Sequence, residues 1–164
     1  MKGEFADFGI RMDGESQAFI EVKRVGTKIG PKHLRQIQSY CANEGVQWMI
    51  LTNGSEWQVY HLSDTVPLVN ELLFSVDLLG PEGPAAKISK LFYLSREAMK
   101  RNQMEELWKA KRATCPQALG ELLRSPALIE AMRKELRRRT GYKIEAGEII
   151  RLLDETVLRP DCLQ

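Results

Sequence analysis

The residues with the clearest chemical potential in the sequence are Asp7, Glu21 and Lys23. Side chains two positions apart in a β-strand project from the same face, so Glu21 and Lys23 must project together if residues 18–23 form a strand. An antiparallel neighbouring strand can bring Asp7 beside them. Charged groups in a partly buried strip are costly unless they pair or hold a cation.

Two converging carboxylates supply the hard oxygen ligands that Mg²⁺ or Mn²⁺ prefers, with several waters retained on the ion. Such an ion lowers the pKa of a bound water and neutralises charge that develops on a phosphate, which is the chemistry of phosphodiester hydrolysis. Lys23 would orient that water, help to deprotonate it, or pair with the phosphate. A cross-strand ion pair with no functional role is the alternative interpretation of the Glu-x-Lys pattern.

The segments that must position these residues are short strands around one helix. The runs 5–11 and 18–23 have the length of strands, are separated by Asp13-Gly14, and are expected to pair as a hairpin. Pro31 suits the first turn of a helix and Gly45 suits a left-handed stop, which predicts a helix from Pro31 to Glu44.

Further strands are predicted around the strongest hairpin signal in the chain, Asn53-Gly54. The nearly all-apolar run before this turn predicts a central strand, and the run after it alternates like a strand. The predicted strands are residues 46–52, 56–62 and 72–79.

The pattern becomes helical after the turn-forming cluster Gly80 to Pro84. We therefore expect an α/β core in residues 1–84 and a helical extension, packed on that core, in residues 85–164. The predicted fold is a small mixed sheet flanked by helices. The predicted helices of the extension are residues 85–94, 95–111, 117–124, 126–140 and 146–158.

Length and composition exclude several classes of protein. A chain of 164 residues with 43% hydrophobic and 28% charged residues predicts one main domain with an ordinary apolar core. No run approaches the roughly 20 apolar residues of a membrane span, and the start lacks the apolar region of a signal peptide, so we expect a cytoplasmic protein without membrane association. The absence of a GxxxxGK[ST] motif predicts no ATP site in this chain.

Charge is distributed unevenly along the chain. Residues 1–86 contain 7 Lys and Arg against 11 Asp and Glu, residues 87–143 contain 15 against 6, and residues 144–164 contain 2 against 5. The central block fits a polyanionic partner such as DNA, although solvated helix faces are also often basic. The candidate DNA-binding residues on one predicted helix are Arg133, Arg137, Arg138 and Arg139.

Four stretches, in order, carry a resemblance to a known family: Ala6-Asp7-Phe8-Gly9-Ile10, Phe19-Ile20-Glu21-Val22-Lys23, Gln36-Ile37-Gln38-Ser39-Tyr40 and Leu51-Thr52-Asn53-Gly54-Ser55-Glu56-Trp57. From about residue 4 to residue 62 the chain resembles the PD-(D/E)XK nuclease fold of the N-terminal domain of type I restriction R subunits. Its later part is similar to stand-alone proteins described as predicted type IV restriction endonucleases. The resemblance implies a restriction-endonuclease-like fold.

The resemblance also implies roles for individual residues. Asp7 and Glu21 would be metal ligands together with the backbone carbonyl of Val22, and Lys23 would be the catalytic lysine. Gln36 and Tyr40 match a QxxxY element that faces the active site or the DNA backbone, although Tyr40 is equally compatible with a core position. The implied protein is a Mg²⁺- or Mn²⁺-dependent endonuclease that hydrolyses DNA, and cleavage of both strands would call for a homodimer or for sequential nicking.

Relatives of this kind usually have a helix upstream of the aspartate, whereas six residues precede Asp7 in this sequence. This departure supports an alternative function. The chain would then be a catalytically inactive nuclease-fold module that binds DNA, or a protein partner, through its basic helical half.

Overall fold

The computed structural model describes residues 6–162, apart from the side chain of Asp161. The chain divides into two compact units, of which the first extends to Trp108 and the second begins at Lys109. The boundary lies later than the predicted division at residue 84, because residues between 93 and 108 contribute to the core of the first unit.

The first unit is built on a five-stranded mixed sheet with the strand order β1-β2-β3-β4-β5. Strands β2 and β3 are parallel, and the other three neighbouring pairs are antiparallel. This arrangement confirms the predicted α/β class and the mixed sheet. The strands are β1 (Phe8–Met12), β2 (Glu15–Val22), β3 (Trp48–Thr52), β4 (Glu56–Leu62) and β5 (Asn70–Asp77).

Helix α1 (Pro31–Glu44) connects the two parallel strands and covers one face of the sheet. Its buried side chains Ile37 and Cys41 pack in a cluster that contains Phe19 of β2 and Met49 of β3. The predicted bounds of this helix are confirmed, because Pro31 occupies its first turn and Gly45 adopts a left-handed conformation with φ of 66° at its end.

The opposite face of the sheet packs against helices that follow β5. Ala18, Ile50 and Val59 lie on this face, in one cluster with Met99 and Met104. Alternation of side chains along β2 and β3 therefore supplies both cores, with neighbouring residues facing opposite sides. The helices are α2 (Pro84–Leu91), which continues as a 3₁₀ turn over Phe92–Leu94, α3 (Arg96–Lys100) and α4 (Gln103–Ala113).

Some predicted bounds differ from the structure. The prediction of one helix over residues 95–111 is wrong, because the chain breaks at Asn102, whose φ of 52° lies outside the helical region. The predicted strand 72–79 instead spans residues 70–77, since the carboxylate of Asp77 accepts a hydrogen bond from the backbone of Leu79 and forms a turn. Residue 5 of the first predicted strand lies outside the described residues.

The second unit contains helices α5 (Pro116–Leu123), α6 (Pro126–Thr140) and α7 (Ala146–Leu152). Ile129 of α6 packs with Ile149 and Leu153 in a separate core. The predicted helix 146–158 changes to a wider π-type turn over Leu153–Val157, in which the backbone N–H of Leu158 donates to the carbonyl of Leu153. None of the helices described in either unit has the length and apolar character needed to cross a membrane.

Candidate functional site

Glu21 and Lys23 form a close, largely buried pair at the end of β2. The side chain of Glu21 projects from the same face of the sheet as that of Phe19, and Glu21 is only 2% exposed. The Nζ of Lys23 donates to Oε1 of Glu21 at 2.5 Å and to Oε1 of Gln36 at 3.2 Å. The backbone N–H of Lys23 donates to the carbonyl of Thr52 at 2.7 Å, which anchors the end of β2 to β3. The structure therefore brings together three of the four residues predicted to be catalytic.

The second carboxylate oxygen of Glu21 is the unusual atom of the site. Oε2 is buried and accepts no hydrogen bond from any residue that the structure describes. A buried acceptor without a partner costs about 1 to 3 kcal/mol, and more when it is charged. A buried carboxylate oxygen that accepts no hydrogen bond from the protein is the kind of group that binds a ligand.

Asp7 lies immediately before β1, next to the end of β2. Its Oδ2 accepts a hydrogen bond from the backbone N–H of Val22 at 2.7 Å, and its side chain is exposed. The antiparallel register pairs Phe8 with Ile20. Asp7, which precedes Phe8, therefore lies at the level of Glu21, which follows Ile20. The hydrogen bond ties the Asp7 carboxylate to the backbone between Glu21 and Lys23.

Helix α1 contributes Gln36 and Tyr40 from adjacent turns, but the two side chains have different surroundings. Gln36 reaches the Lys23 ammonium. Tyr40 is half-buried and packs edge-to-face on Phe19, with ring centroids 4.6 Å apart. The packing of Tyr40 agrees with the core position that the sequence left open, and its predicted contact with DNA stays a prediction.

Asn53 connects two loops near the site, whereas its sequence context, Asn53-Gly54, indicates only a turn. It is 6% exposed, and its Oδ1 accepts hydrogen bonds from the backbone N–H groups of Ser55 and Glu56. Its Nδ2 donates to the carbonyl of Thr27 at 2.9 Å, across to the loop that links β2 with α1. The Asn-Gly dipeptide signalled the turn, but no local pattern indicated the bond to residue 27.

His33 is a second residue whose position the sequence did not indicate. It lies one turn before Gln36 on α1, and its Nδ1 accepts a hydrogen bond from the backbone N–H of Gly30 at 3.3 Å. Desolvation lowers the pKa of His33, the positive charges of Lys32 and Lys23 lower it further, and the negative charge of Glu21 opposes them. The imidazole therefore stays neutral at pH 7 and lies in the electrostatic field of the Glu21–Lys23 pair.

The arginines predicted to bind DNA lie on α6 in the second unit, and most of them are paired. Arg138 and Arg139 both bind the carboxylate of Glu135, with shortest distances of 2.6 Å. Arg133 pairs with Glu130 at 2.9 Å and also donates to the carbonyl of Ile144. Hydrogen bonds from Arg138 and then Arg139 lower the pKa of Glu135, and the same carboxylate raises the pKa of Arg138. Arg137 is exposed and forms no ion pair with a described residue.

The donor set at the end of β2 fits the hard cation that the sequence predicts. Asp7 and Glu21 supply carboxylate oxygens, one of them the buried Oε2 that no described residue contacts through a hydrogen bond. A carbonyl such as that of Val22 is a further oxygen ligand of the same chemical type. Within residues 6–162 no group of three or more His, Cys, Asp and Glu side chains is arranged to hold a metal. A site of two carboxylates suits Mg²⁺, which keeps most of its waters, better than a fully protein-coordinated ion.

The fold and the site together define a class: an α/β domain with a buried acid–lysine–amide cluster where two parallel strands end. Residues 2–72 match the family described as the N terminus of the type I restriction enzyme R protein. The match covers less than half of the chain and confirms the resemblance to that N-terminal domain over this segment, which it associates with restriction systems. No curated protein and no solved structure matches the chain.

Proposed function

We propose that the protein is a divalent-metal-dependent endonuclease with a PD-(D/E)XK-type site, acting on DNA in a restriction system. The observation that carries the proposal is the state of Glu21, one of whose oxygens is bound by Lys23 while the other is buried without a partner among the described residues. The family match over residues 2–72 supports the same role, since it links this segment to a restriction enzyme subunit.

The metal site would consist of Asp7, Glu21 and the carbonyl of Val22. A Mg²⁺ or Mn²⁺ ion held there would supply charge neutralisation at the phosphate and a more acidic bound water. Asp7 is held in place for this task by the N–H of Val22, and Glu21 by the ammonium of Lys23. Both carboxylates are thus oriented by bonds that leave other oxygen lone pairs available.

Lys23 and Gln36 would act on the substrate and the attacking water. The Lys23 ammonium has three N–H donors, and two of them are directed at Glu21 and Gln36. The third can hold a phosphate oxygen or the attacking water. Because Gln36 accepts from Lys23 through Oε1, its amide N–H groups remain to donate to the same water or phosphate. Hydrolysis forms a bond from the water oxygen to phosphorus, breaks one ester bond, and leaves a proton on the departing oxygen.

The test is cleavage of supercoiled and of modified plasmid DNA by the full chain with Mg²⁺ or Mn²⁺. Wild type should nick or linearise the plasmid, and Asp7→Ala, Glu21→Gln and Lys23→Ala should each reduce the rate by at least about 10²- to 10³-fold, the size of effect seen when one electrostatic group of an active site is removed. Circular dichroism and a melting curve of each variant check that the fold is retained. The matched control is Glu44→Gln, a change of the same type at an exposed position at the end of α1.

The alternative of a catalytically inactive DNA-binding module makes opposite predictions. Such a module would bind DNA with a steep salt dependence without Mg²⁺, and its affinity would be indifferent to Glu21→Gln. If wild type and the three site variants all leave both plasmids intact while still binding DNA, the catalytic proposal is wrong.

A further inference from the structure

The segment that links Lys23 to Gln36 is rich in positive charge. This charge is not apparent when charges are counted over residues 1–86 as a whole. Residues 23–43 contain five Lys and Arg and no Asp or Glu, although residues 1–86 as a whole are acidic. Four of these cations are exposed: Arg24, Lys28, Lys32 and Arg35. None of the four forms an ion pair with any described residue, in contrast to most of the arginines of α6.

The loop that bears Arg24 and Lys28 is anchored to the rest of the first unit. The N–H of Thr27 donates to the carbonyl of Arg24 in a tight turn, and the carbonyl of Thr27 accepts from the buried amide of Asn53. Ile29 is only 7% exposed, so the loop also has a buried apolar side chain. A held loop presents its cations at a lower entropic cost than a mobile one.

Two of these cations, Arg24 and Lys32, adjoin the candidate site. Arg24 follows Lys23 directly in the chain, and Lys32 lies one turn before Gln36 on the same side of α1. The first turn of α1 contains no acidic residue, so the positive end of the helix dipole adds to the field of the side chains. A phosphodiester bound near Glu21 would therefore lie next to positive charge on the loop and at the start of α1.

We propose that the basic surface formed by Arg24, Lys28, Lys32 and Arg35 binds the phosphate backbone of DNA beside the candidate site. The identification of the polyanion as DNA rests on the proposed function. The new element is that this surface makes the main contact of the first unit with the DNA backbone. The exposed, unpaired charges complement a chain of phosphates, and such contacts give affinity and register without reading base sequence. The arginines of α6 make a smaller contribution, since Glu130 and Glu135 already engage them.

The test measures binding of the full chain to a fluorescent 30-base-pair duplex in EDTA, by anisotropy over a series of salt concentrations. The variant combines Lys28→Gln, Lys32→Gln and Arg35→Gln. The matched control combines Arg137→Gln, Arg138→Gln and Arg139→Gln, so each protein loses three positive charges and has the same net charge. Melting curves of both proteins show whether the fold is kept, which is expected because all six side chains are exposed.

Each phosphate contact contributes about 0.9 to the slope of log affinity against log salt. We expect the loop and α1 variant to lose about 2 to 3 from this slope and to bind roughly 100-fold more weakly near 0.1 M salt. The α6 control should stay within about fivefold of wild type. An equal or larger loss in the α6 control, or unchanged binding by the loop and α1 variant, would overturn the proposal.

The binding measurement separates this inference from the proposed function, because EDTA prevents metal-dependent cleavage. A protein that binds through the loop and α1 but cuts no DNA would support the surface and refute the nuclease. A protein that cuts DNA but binds independently of the three charges removed from the loop and α1 would do the reverse.

Discussion

The two basic regions of the molecule differ in how their charges are organised. The segment from Lys23 to Arg35 has no acidic residue, and its exposed cations are unpaired within the described part of the chain. Helix α6 carries five basic side chains together with Glu130 and Glu135, and three of its arginines are engaged by these two carboxylates. The number of basic residues in a long stretch of sequence favours α6 as the DNA-binding region. The number of unpaired basic side chains favours the segment from Lys23 to Arg35.

This difference separates two uses of positive charge. Pairs spaced by three or four residues on an exposed helix stabilise the helix by only a few tenths of a kcal/mol each, and they reduce the charge that a distant polyanion meets. The unpaired cations on the anchored loop and on the first turns of α1 make no such local contribution. Their concentration near the Glu21–Lys23 pair therefore points to a ligand. A run of arginines in a sequence is therefore weaker evidence for DNA binding than the acid-free segment beside the site.

The anchoring of the first segment can be tested at Asn53. Asn53→Asp keeps the Oδ1 that caps the turn but loses the donor to the carbonyl of Thr27 and places two acceptors against each other. We expect DNA affinity in EDTA to fall about tenfold, because the loop with Arg24 and Lys28 is released and ordering it on binding costs about 1 kcal/mol or more. The salt slope should change little, since no cation is removed.

The matched control is Thr52→Val, at the neighbouring buried position. It removes the Oγ1 that donates to Glu56 and accepts from Gly54, and so weakens the same turn without touching the loop. Both variants should lose stability to a similar degree, and only the Asn53 variant should lose affinity. Equal affinities of the two variants would show that the bond to residue 27 does not organise the basic surface.

Much of the fold follows from local rules in the sequence. The predicted helix of about Pro31 to Glu44 agrees with the structure, because a proline in its first turn and a glycine after its end are strong local signals. The break at Asn102 was not predicted, since nothing in the helical periodicity of residues 95–111 marks it and the side chains on both sides, Met99 and Met104, pack in the same core. Tertiary packing decided this point against local propensity.

The candidate site was predictable where side chains share a strand and unpredictable where they meet through tertiary contacts. The shared face of Glu21 and Lys23 follows from the period of a strand, and the proximity of Gln36 followed only from the family resemblance. The bond from Asn53 to the carbonyl of Thr27 joins positions 26 residues apart, and no periodicity reports such a contact. The acid-free segment 23–43 was visible in the sequence, but a count over residues 1–86 averaged it with acidic neighbours.

The C-terminal ends of α1 and α6 allow the stabilities of these two helices to be compared. Gly45 ends α1 with φ of 66° and Gly141 ends α6 with φ of 73°. A Cβ at either position would meet no atom of residues 6–162 within 4 Å. Ala at either position should therefore cost only the left-handed backbone penalty, about 1 kcal/mol. Hydrogen exchange should accelerate roughly fivefold in residues 31–44 for Gly45→Ala and in residues 126–140 for Gly141→Ala.

The location of the exchange effect is the informative result. Because α1 and α6 belong to different compact units, each variant should change protection mainly in its own unit. Equal loss of protection in both helices from either substitution would show that the two units unfold as one, and the two basic regions would then not be independent in stability.

The smallest expected effect is at Glu135, whose carboxylate engages Arg138 and Arg139. The hydrogen bonds lower its pKa below the ordinary value of 4.5, so its contribution to stability is complete above that value and is lost as the pH falls through the lowered pKa. Glu135→Gln should abolish this pH dependence in melting curves between about pH 5 and pH 3, where wild type should lose stability more steeply.

The same substitution should release the two arginines for DNA, and affinity for the duplex at low salt should rise by a factor of about two to five. Glu148→Gln, a carboxylate change of equal charge on α7 in the same unit, is the control for net charge. If both substitutions raise affinity equally, the gain comes from net charge alone. A gain confined to the Glu135 variant would show that pairing is what keeps the arginines of α6 from contributing as the segment beside the site does.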